Sequence, residues 1–319
     1  MSLSVVIPVF NEAAHVGRTI ADARDAVDRS PFDGEIVVVD DGSTDTSGSV
    51  AEAAGASVIR QANRGRFEAR RAGLKAATGE YILFLDSRVT LTPGSLAFVS
   101  QHLDNGRVWN GDAVMDVAGN PYGHFWDVVS ALAFARYLDN PRTTSFGLEE
   151  FDAFPKGTTC FFAPRLLLID AFGAYETRYA DSRHANDDTP LIRWIAERER
   201  IWISPGFACL YRPRRSFGGF VKHAFHRGIV FLDGHGRKES SYRFVVLAFY
   251  PVSATLAALA VWRPIVVPAG AVVVGAVGAA AAMRKRRPLG DVAAFATLAP
   301  LYLLAHGLGM WRALVLPRR

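Results

Sequence analysis

An α/β fold with a mostly parallel sheet, followed by membrane helices, is predicted by three features of this 319-residue chain. Over its first ninety residues, short apolar runs alternate with helix-like segments, the pattern of βαβ units whose sheet is buried on both faces. Two of these runs stop on acids, at Asp40-Asp41 and at Asp86, and open α/β sheets bind ligands above the carboxyl ends of their strands. Finally, the stretches 244–262, 264–283 and 292–311 are each 19 or 20 residues long and nearly free of charge, the length that crosses a hydrocarbon core of roughly 30 Å.

The elements follow in order. Residues 4–9 form an apolar strand, and a helix runs from Glu12 to about Asp28. A β-branched run at 35–39 ends on Asp40-Asp41-Gly42-Ser43-Thr44-Asp45, a composition suited to a turn and a helix N-cap. A helix over 46–54, a short strand over 56–59 and a helix over 66–77 come next, the last closed by Gly79. The strand Tyr81–Leu85 then delivers Asp86-Ser87-Arg88. An acid at that place suits a divalent cation held against a diphosphate, but Arg88 brings a fixed positive charge to the same turn. From 92 to 162 the pattern is mixed and aromatic-rich, with turns such as Gly119-Asn120-Pro121. A helix covers 189–199, a last short strand 201–204, and an amphipathic helix 217–231 carries Lys222, His223, His226 and Arg227.

Charge is unevenly spread. Of 36 Lys/Arg and 31 Asp/Glu, nine basic residues and only Asp291 lie beyond Ser240, so the rest of the chain holds 27 basic and 30 acidic residues. A basic excess confined to the apolar end argues for a membrane and against nucleic acid. Arg284-Lys285-Arg286-Arg287 belongs on the cytoplasmic side. If all three apolar segments span, Arg318-Arg319 falls outside, against that rule; an interfacial or re-entrant third segment is the alternative. The start, Met1-Ser2-Leu3-Ser4, has no basic n-region followed by an apolar h-region, so the first domain is expected to remain in the cytoplasm. Cys160 and Cys209 offer no metal or redox spacing and are expected to be buried, inert thiols.

Four stretches of the first ninety residues resemble the inverting family 2 glycosyltransferases of GT-A fold. They are Ser4-Val5-Val6-Ile7-Pro8-Val9-Phe10-Asn11-Glu12, Val37 through Asp45, Asn63-Arg64-Gly65 with Ala69-Arg70 and Gly73, and Gly79 through Asp86. Later, Gly157-Thr158-Thr159-Cys160-Phe161-Phe162 resembles the family's acceptor-side segment, and Asn186-Asp187-Asp188 its acidic motif at the head of a helix. Arg215 through Gly228 is similar to its membrane-proximal segment, with Lys222 to Arg227 in place of the usual Gln-x-x-Arg.

The resemblance implies a membrane-anchored hexosyltransferase acting in cell-envelope polysaccharide synthesis. A cytoplasmic GT-A domain would cover 1–238, with a nucleotide-binding half (1–90) and an acceptor half with an interface helix (91–238), and a membrane domain would cover 239–319. Pro8, Val9, Glu12 and Asp41 would line the nucleotide pocket, with Arg64 near the diphosphate and Asp86, Ser87 and Arg88 at the donor. Asp86 is the surviving ligand of an Asp-x-Asp pair for Mg²⁺ or Mn²⁺, with Arg88 assisting, pointing away, or taking over part of the cation's role. Asp188 would be the base, with Asp187 the alternative, adjacent acids raising one another's pKa. Gly157, Thr158, Lys222, His226 and Arg227 fall on the acceptor and phosphate side. The implied partners are a nucleotide-sugar, most plausibly UDP-linked, and a lipid-linked (polyprenyl) acceptor at the membrane. Transfer to a polyprenyl phosphate, or an inactive partner in a glycan assembly complex, are the rival functions. A dinucleotide-dependent oxidoreductase is disfavoured, since no GxGxxG follows the first strand.

Overall fold

The computed structural model describes residues 1–318, so Arg319 of the terminal pair lies outside the described residues. In chain order the elements begin β1 (Ser2–Val9), α1 (Ala13–Asp28), β2 (Asp33–Asp40), α2 (Ser47–Ala53), β3 (Ser57–Arg60), α3 (Arg66–Ala76) and β4 (Tyr81–Leu85). Next come β5 (Val89–Leu91), α4 (Ser95–Gln101), β6 (Trp109–Met115), α5 (Pro121–Ala133), α6 (Ala135–Leu138) and β7 (Thr144–Phe146). They are followed by β8 (Cys160–Pro164), α7 (Arg165–Ala174), α8 (Thr189–Ala196) and β9 (Ile201–Tyr211). Four long helices close the chain: α9 (Phe217–His235), α10 (Arg243–Trp262), α11 (Val266–Arg284) and α12 (Leu289–Leu314).

The chain divides into two compact units. The first holds residues 1–114, 136–177 and 181–212, and its sheet runs in the order β3-β2-β1-β4-β8-β6-β9-β5, with β7 on β9. β3, β2, β1 and β4 are parallel, and β8 turns the direction by pairing antiparallel with β4. Successive β1 residues serve opposite faces: Val5 and Ile7 enter one core cluster and Val6 the other. That division is why the strand reads as a continuous apolar run with no alternation.

Two departures from the sequence reading have local causes. β9 extends to Tyr211, well past the short strand expected at 201–204. Pro205 falls between the β7 ladder at 201–203 and the β5 ladder at 209–211 and interrupts neither. The Asn120-Pro121 turn opens a helix: the Asn120 side chain accepts from the Tyr122 amide and Pro121 takes the first turn of α5.

The second unit gathers residues 115–135, 178–180 and everything from Pro213 on. α10, α11 and α12 are each long and apolar enough to cross a membrane. α9 and α12 touch backbone to backbone. A Cβ added at Gly228 would lie 2.0 Å from the His306 carbonyl oxygen, and one at Gly309 would lie 2.0 Å from that of Phe225. Gly228→Leu is therefore expected to separate the two helices, at a cost of about 3 kcal/mol. Thermal melts in detergent would check this, and an unchanged melting point would show that the helices do not pack there.

Candidate active site

β1, β2 and β4 lie side by side, so Glu12, Asp41 and Asp86 follow the carboxyl ends of neighbouring strands. The turns after β1 and β2 are laced together. Asn11, in the left-handed region at φ 55°, accepts from the Thr44 amide at 2.8 Å, and the Glu12 amide donates to Ser47 Oγ at 2.8 Å. Pro8 and Val9 are buried in β1, and the Val9 carbonyl accepts from the Asp41 amide. Asp41 holds the loop that precedes α3. Its Oδ1 accepts from Gln61 Nε2 at 2.7 Å and the Arg64 amide at 2.9 Å, and its Oδ2 from the Gly65 amide at 2.8 Å. Gly65 is required there: its φ is +88°, and a Cβ would meet the Arg183 backbone at 2.7 Å.

From that loop α3 projects Arg66 and Arg70, one turn apart on the same face. Arg70, with 1% of its side chain exposed, donates from Nη2 to Asp86 Oδ1 at 2.5 Å and from Nη1 to Asp187 Oδ2. Arg66 is half-exposed and reaches Asp187 Oδ1 at 3.2 Å. The fields of Asp187 and, beyond it, Asp86 and Asp188 hold the Arg66 guanidinium above its ordinary pKa against the opposing effect of burial. The strand-end acid and the acidic motif at the head of α8 are thus joined through the Arg70 guanidinium, with Arg66 adding a second contact to Asp187.

Asp86 is fixed from its other side by β8. Its amide donates to the Thr159 carbonyl at 2.9 Å, and its Oδ2 accepts from Thr159 Oγ1 at 3.2 Å. The preceding Gly157 amide donates to Asn110 Oδ1 at 3.1 Å, and Thr158 is buried. The position a Cβ would take on Gly157 lies 3.8 Å from Asp188 Oδ2. The 157–159 segment therefore runs between Asp86 and Asp188.

The two neighbouring acids are not equivalent. At Asp187 burial raises the pKa most, but the charges of Arg66 and Arg70 and the Arg70 hydrogen bond outweigh it and hold the carboxyl below its ordinary value. The mutual raising expected for adjacent acids does not hold at Asp187, because two guanidinium groups stand on it. Asp188 caps α8, its Oδ1 accepting from Thr189 Oγ1 at 3.0 Å and from the Thr189 amide.

Arg88 does not face Asp86. Its Nε donates to Glu12 Oε1 at 2.8 Å, both side chains being largely buried, and its backbone is pinned by the Arg212 amide and by Thr19 Oγ1 on the Ser87 carbonyl. A Mg²⁺ or Mn²⁺ held against a donor diphosphate would have only the Asp86 carboxylate of the expected pair to bind. Among the described residues no three His, Cys, Asp or Glu side chains converge on one point. Both Asp86 oxygens already face donors, and the second ligand position carries a cation.

Arg64 is exposed and lies 3.7 Å from Glu68. Lys222, His226 and Arg227 belong to the second unit, on α9, where Arg227 sits 5.0 Å over the Trp126 ring. Cys160 and Cys209 are buried free thiols, and their mutual hydrogen bond, then burial, push the Cys160 thiol up. Their burial is as read from the sequence.

Sequence reasoning gave no role to Arg70, Thr159 or Asn110. For Arg70 a signal was available in its spacing from Arg66 on a helix whose same face carries Gly73 and Leu74. For Thr159 and Asn110 there was none, since both act through long-range pairing. Lys156, beside Gly157, was also missed. Burial pushes its ammonium down to about 8, against the favourable fields of Asp152 and Asp188. The folded state thus disfavours its charge fully below about that pH, and the penalty vanishes by the unfolded value of 10.5. Relative to Lys156→Met, wild-type stability is expected to rise by about 3 kcal/mol across that window. Chemical denaturation at stepped pH measures it, and a flat difference would remove Lys156 as the cause.

Comparison with known proteins places this geometry. The glycosyl transferase family 2 profile matches residues 4–142. Glycosyltransferase GlyG of Streptococcus pneumoniae is 25% identical over 70% of this chain and 74% of its own length. The undecaprenyl-phosphate 4-deoxy-4-formamido-L-arabinose transferase of Shewanella sediminis is 34% identical over 28% of this chain and 30% of its own. Among solved structures, mannosyltransferase PcManGT of Pyrobaculum calidifontis, in complex with GDP-Man and Mn²⁺, superposes with a TM-score of 0.60 at 20% identity, covering 97% of this chain and 86% of that one. Residues 1–349 of S. aureus TarS, in complex with UDP-GlcNAc, give 0.53 at 17% identity over 95% and 92% of the two chains. These two likenesses establish the fold. The chain is a glycosyltransferase of GT-A fold that carries a glycosyl transferase family 2 domain over residues 4–142 and three apolar helices at its C-terminal end.

Proposed function

We propose that this chain transfers a sugar from a nucleotide-sugar, UDP-linked, to a hydroxyl of a lipid-linked acceptor, with inversion at the anomeric carbon. The carrying observation is Arg70, which holds on one guanidinium the donor-side acid Asp86 and Asp187, the neighbour of Asp188. In this reading the acceptor oxygen attacks the anomeric carbon along the line between Gly157 and Asp188 Oδ2. The new C–O bond forms as the bond to the donor diphosphate breaks, and its electron pair leaves with the nucleoside diphosphate. The acceptor proton passes to Asp188 and then to water. Pro8, Val9, Glu12 and Asp41 line the nucleotide side, with Ser87 beneath it.

The departing diphosphate gains negative charge, and in this reading Arg66 and Arg70, with Arg64 at the rim, meet it. Guanidinium pairs with phosphate oxygens in a planar, two-point geometry. Turnover is therefore expected to survive EDTA. Strict dependence on Mn²⁺ would remove this electrostatic role and leave the donor assignment standing.

The apolar helices support a membrane location, and the basic run Arg284-Lys285-Arg286-Arg287 supports a cytoplasmic side for the catalytic unit. Lys222, His226 and Arg227 suit a lipid-borne phosphate there. The test is transfer of labelled sugar from UDP-sugars to a polyprenyl-linked acceptor by the full chain in nanodiscs. Solvent-extractable label is the expected result. Neither transfer nor binding with any nucleotide-sugar would favour an inactive assembly partner. A second reading, transfer directly to a polyprenyl phosphate, is supported by the similarity to the Shewanella sediminis transferase.

A further inference from the structure

Lys156 is a charged side chain that the fold turns inward, next to the glycine that faces Asp188. Only 10% of the side chain is exposed. Its Nζ donates to the Phe151 carbonyl at 2.5 Å and to the Phe154 carbonyl at 3.3 Å. The same nitrogen lies 4.3 Å from the centre of the Phe151 ring. Phe151 and Phe154 belong to the main core cluster, so the ammonium is fastened to closely packed residues. Lysine is seldom buried without a close ion pair, and Asp152 is 3.9 Å away. Below pH about 8 the buried charge lowers stability, so stability does not account for it. Charged groups kept under such conditions cluster at functional sites.

The acceptor-side segment and the helix that carries Asp188 are anchored to one short 3₁₀ turn, Leu148–Ala153. Residues 155–157 reach that turn through Lys156. α8 reaches it through Arg193, whose Nη2 lies 3.5 Å from Asp152 Oδ2 and whose guanidinium lies 4.4 Å from the centre of the Phe151 ring. Asp152 therefore presents one oxygen to each cation. From the side of β6, Asn110 accepts from the Gly157 amide at 3.1 Å and donates to the Pro155 carbonyl at 3.4 Å. The segment is thus held on both flanks of Lys156, while the Lys156 side chain holds it to the turn. These ties set the gap of 3.8 Å between the position a Cβ would take on Gly157 and Asp188 Oδ2.

We infer that Lys156 is a positioning residue for transfer: its ammonium fixes the 155–157 segment relative to Asp188, and so sets the line along which the acceptor oxygen attacks. It has this role only if Asp188 is the base of the proposed transfer. The charged groups facing Lys156 are Asp152 from the 3₁₀ turn, and Asp188 and Arg193 from α8. Burial pushes the ammonium down to about 8, against the raising fields of Asp152 and Asp188, while Arg193 lowers it further. Below that pH two charge-assisted bonds hold the segment. Above it a neutral amine faces the same carbonyls, with bonds about half as strong. Transfer therefore acquires an alkaline limb from a residue that touches no reacting atom.

The test measures kcat/KM for a polyprenyl-linked acceptor against pH, with a UDP-sugar and the full chain in nanodiscs. In wild type the value is expected to fall as pH rises through about 8. Lys156→Met is expected to be about 10–100-fold lower at neutral pH, the size of effect a displaced attack geometry produces, and to show no such fall. Its UDP affinity should be unchanged, and its melting point no lower than that of wild type, because the buried charge is gone. Lys156→Arg stays charged throughout and is expected to recover most of the rate without the alkaline fall. Lys156→Met at the wild-type rate, or an alkaline fall that persists in Lys156→Arg, would overturn the inference. Hydrogen exchange over residues 154–159 needs no turnover and should be faster in Lys156→Met; equal protection would show that the ammonium does not hold the segment. Asp188→Asn, run alongside, separates the two levels. A wild-type rate there removes the base itself, whereas a loss there with Lys156→Met unaffected removes Lys156 alone.

Discussion

Replacing Arg70 with methionine is expected to cost about 3–5 kcal/mol of folding stability, because it strands two carboxylates that the fold has already desolvated. Arg70 is the central cation of the site, 1% exposed, with Asp86 on one nitrogen and Asp187 on another. Breaking a buried pair is far more costly than exchanging the whole group for neutral residues of similar volume. The loss should therefore be largely recovered in Arg70→Met with Asp86→Asn and Asp187→Asn, even though that triple variant stays inactive. Melting in detergent, read by intrinsic fluorescence, is expected to fall by roughly 10 °C in the single variant and to return most of the way in the triple. A triple variant as unstable as the single would show that packing of the Arg70 stem carries the stability. The pH dependence has a definite sign. The Asp187 pKa is lowered in the fold, so its contribution is fully present above the ordinary carboxylate value and is lost as pH falls through the lowered one. Wild type should lose its advantage over the triple variant on acidification.

The parallel half of the sheet and the strand-end acids were legible because they are local. A β-branched run ending on an acid needs only neighbouring residues to be read, and Asp41 and Asp86 stand where those runs placed them. What escaped was set by partners far along the chain. Arg70 and Asp187 are 117 positions apart, Glu12 and Arg88 are 76 apart, and no periodicity links them. Arg88 looked like a gap in an acidic pair, whereas its charge is matched by Glu12 at the head of α1. The short strand read at 201–204 runs on to Tyr211, because the ladders on either side of Pro205 are invisible in sequence. The Asn120-Pro121 turn was seen, but not that an Asn cap and a Pro in the first turn begin a helix. For α12, length and apolarity were read correctly, whereas its packing along α9, α11 and α5 is long-range and left no mark in the sequence.

Asp188→Asn is expected to lower kcat by about 10²–10⁴ while leaving UDP binding unchanged, the size of effect that a positioned base supplies. The substitution isolates proton acceptance from structure. Asp188 Oδ1 caps α8 by accepting from Thr189, and asparagine caps a helix as well as aspartate does, so the fold should melt within error of wild type. Asp187→Asn should behave in the opposite way. It removes the charge on which Arg66 and Arg70 stand, so its main effect should be on stability and on the arrangement of the arginines. Asp187 is also the poorer proton acceptor of the two, since those guanidinium groups hold its pKa down. Parallel measurement of melting, UDP affinity and single-turnover transfer separates the roles, and a collapse of both variants on all three would mean the acids act only as a structural unit. The same variant chooses between acceptors. A hydroxyl must lose its proton as it attacks, whereas a polyprenyl phosphate arrives already ionised and needs no base. If Asp188→Asn transfers at the wild-type rate, the hydroxyl acceptor is excluded and the lipid phosphate becomes the nucleophile, with Asp188 reduced to the cap of α8.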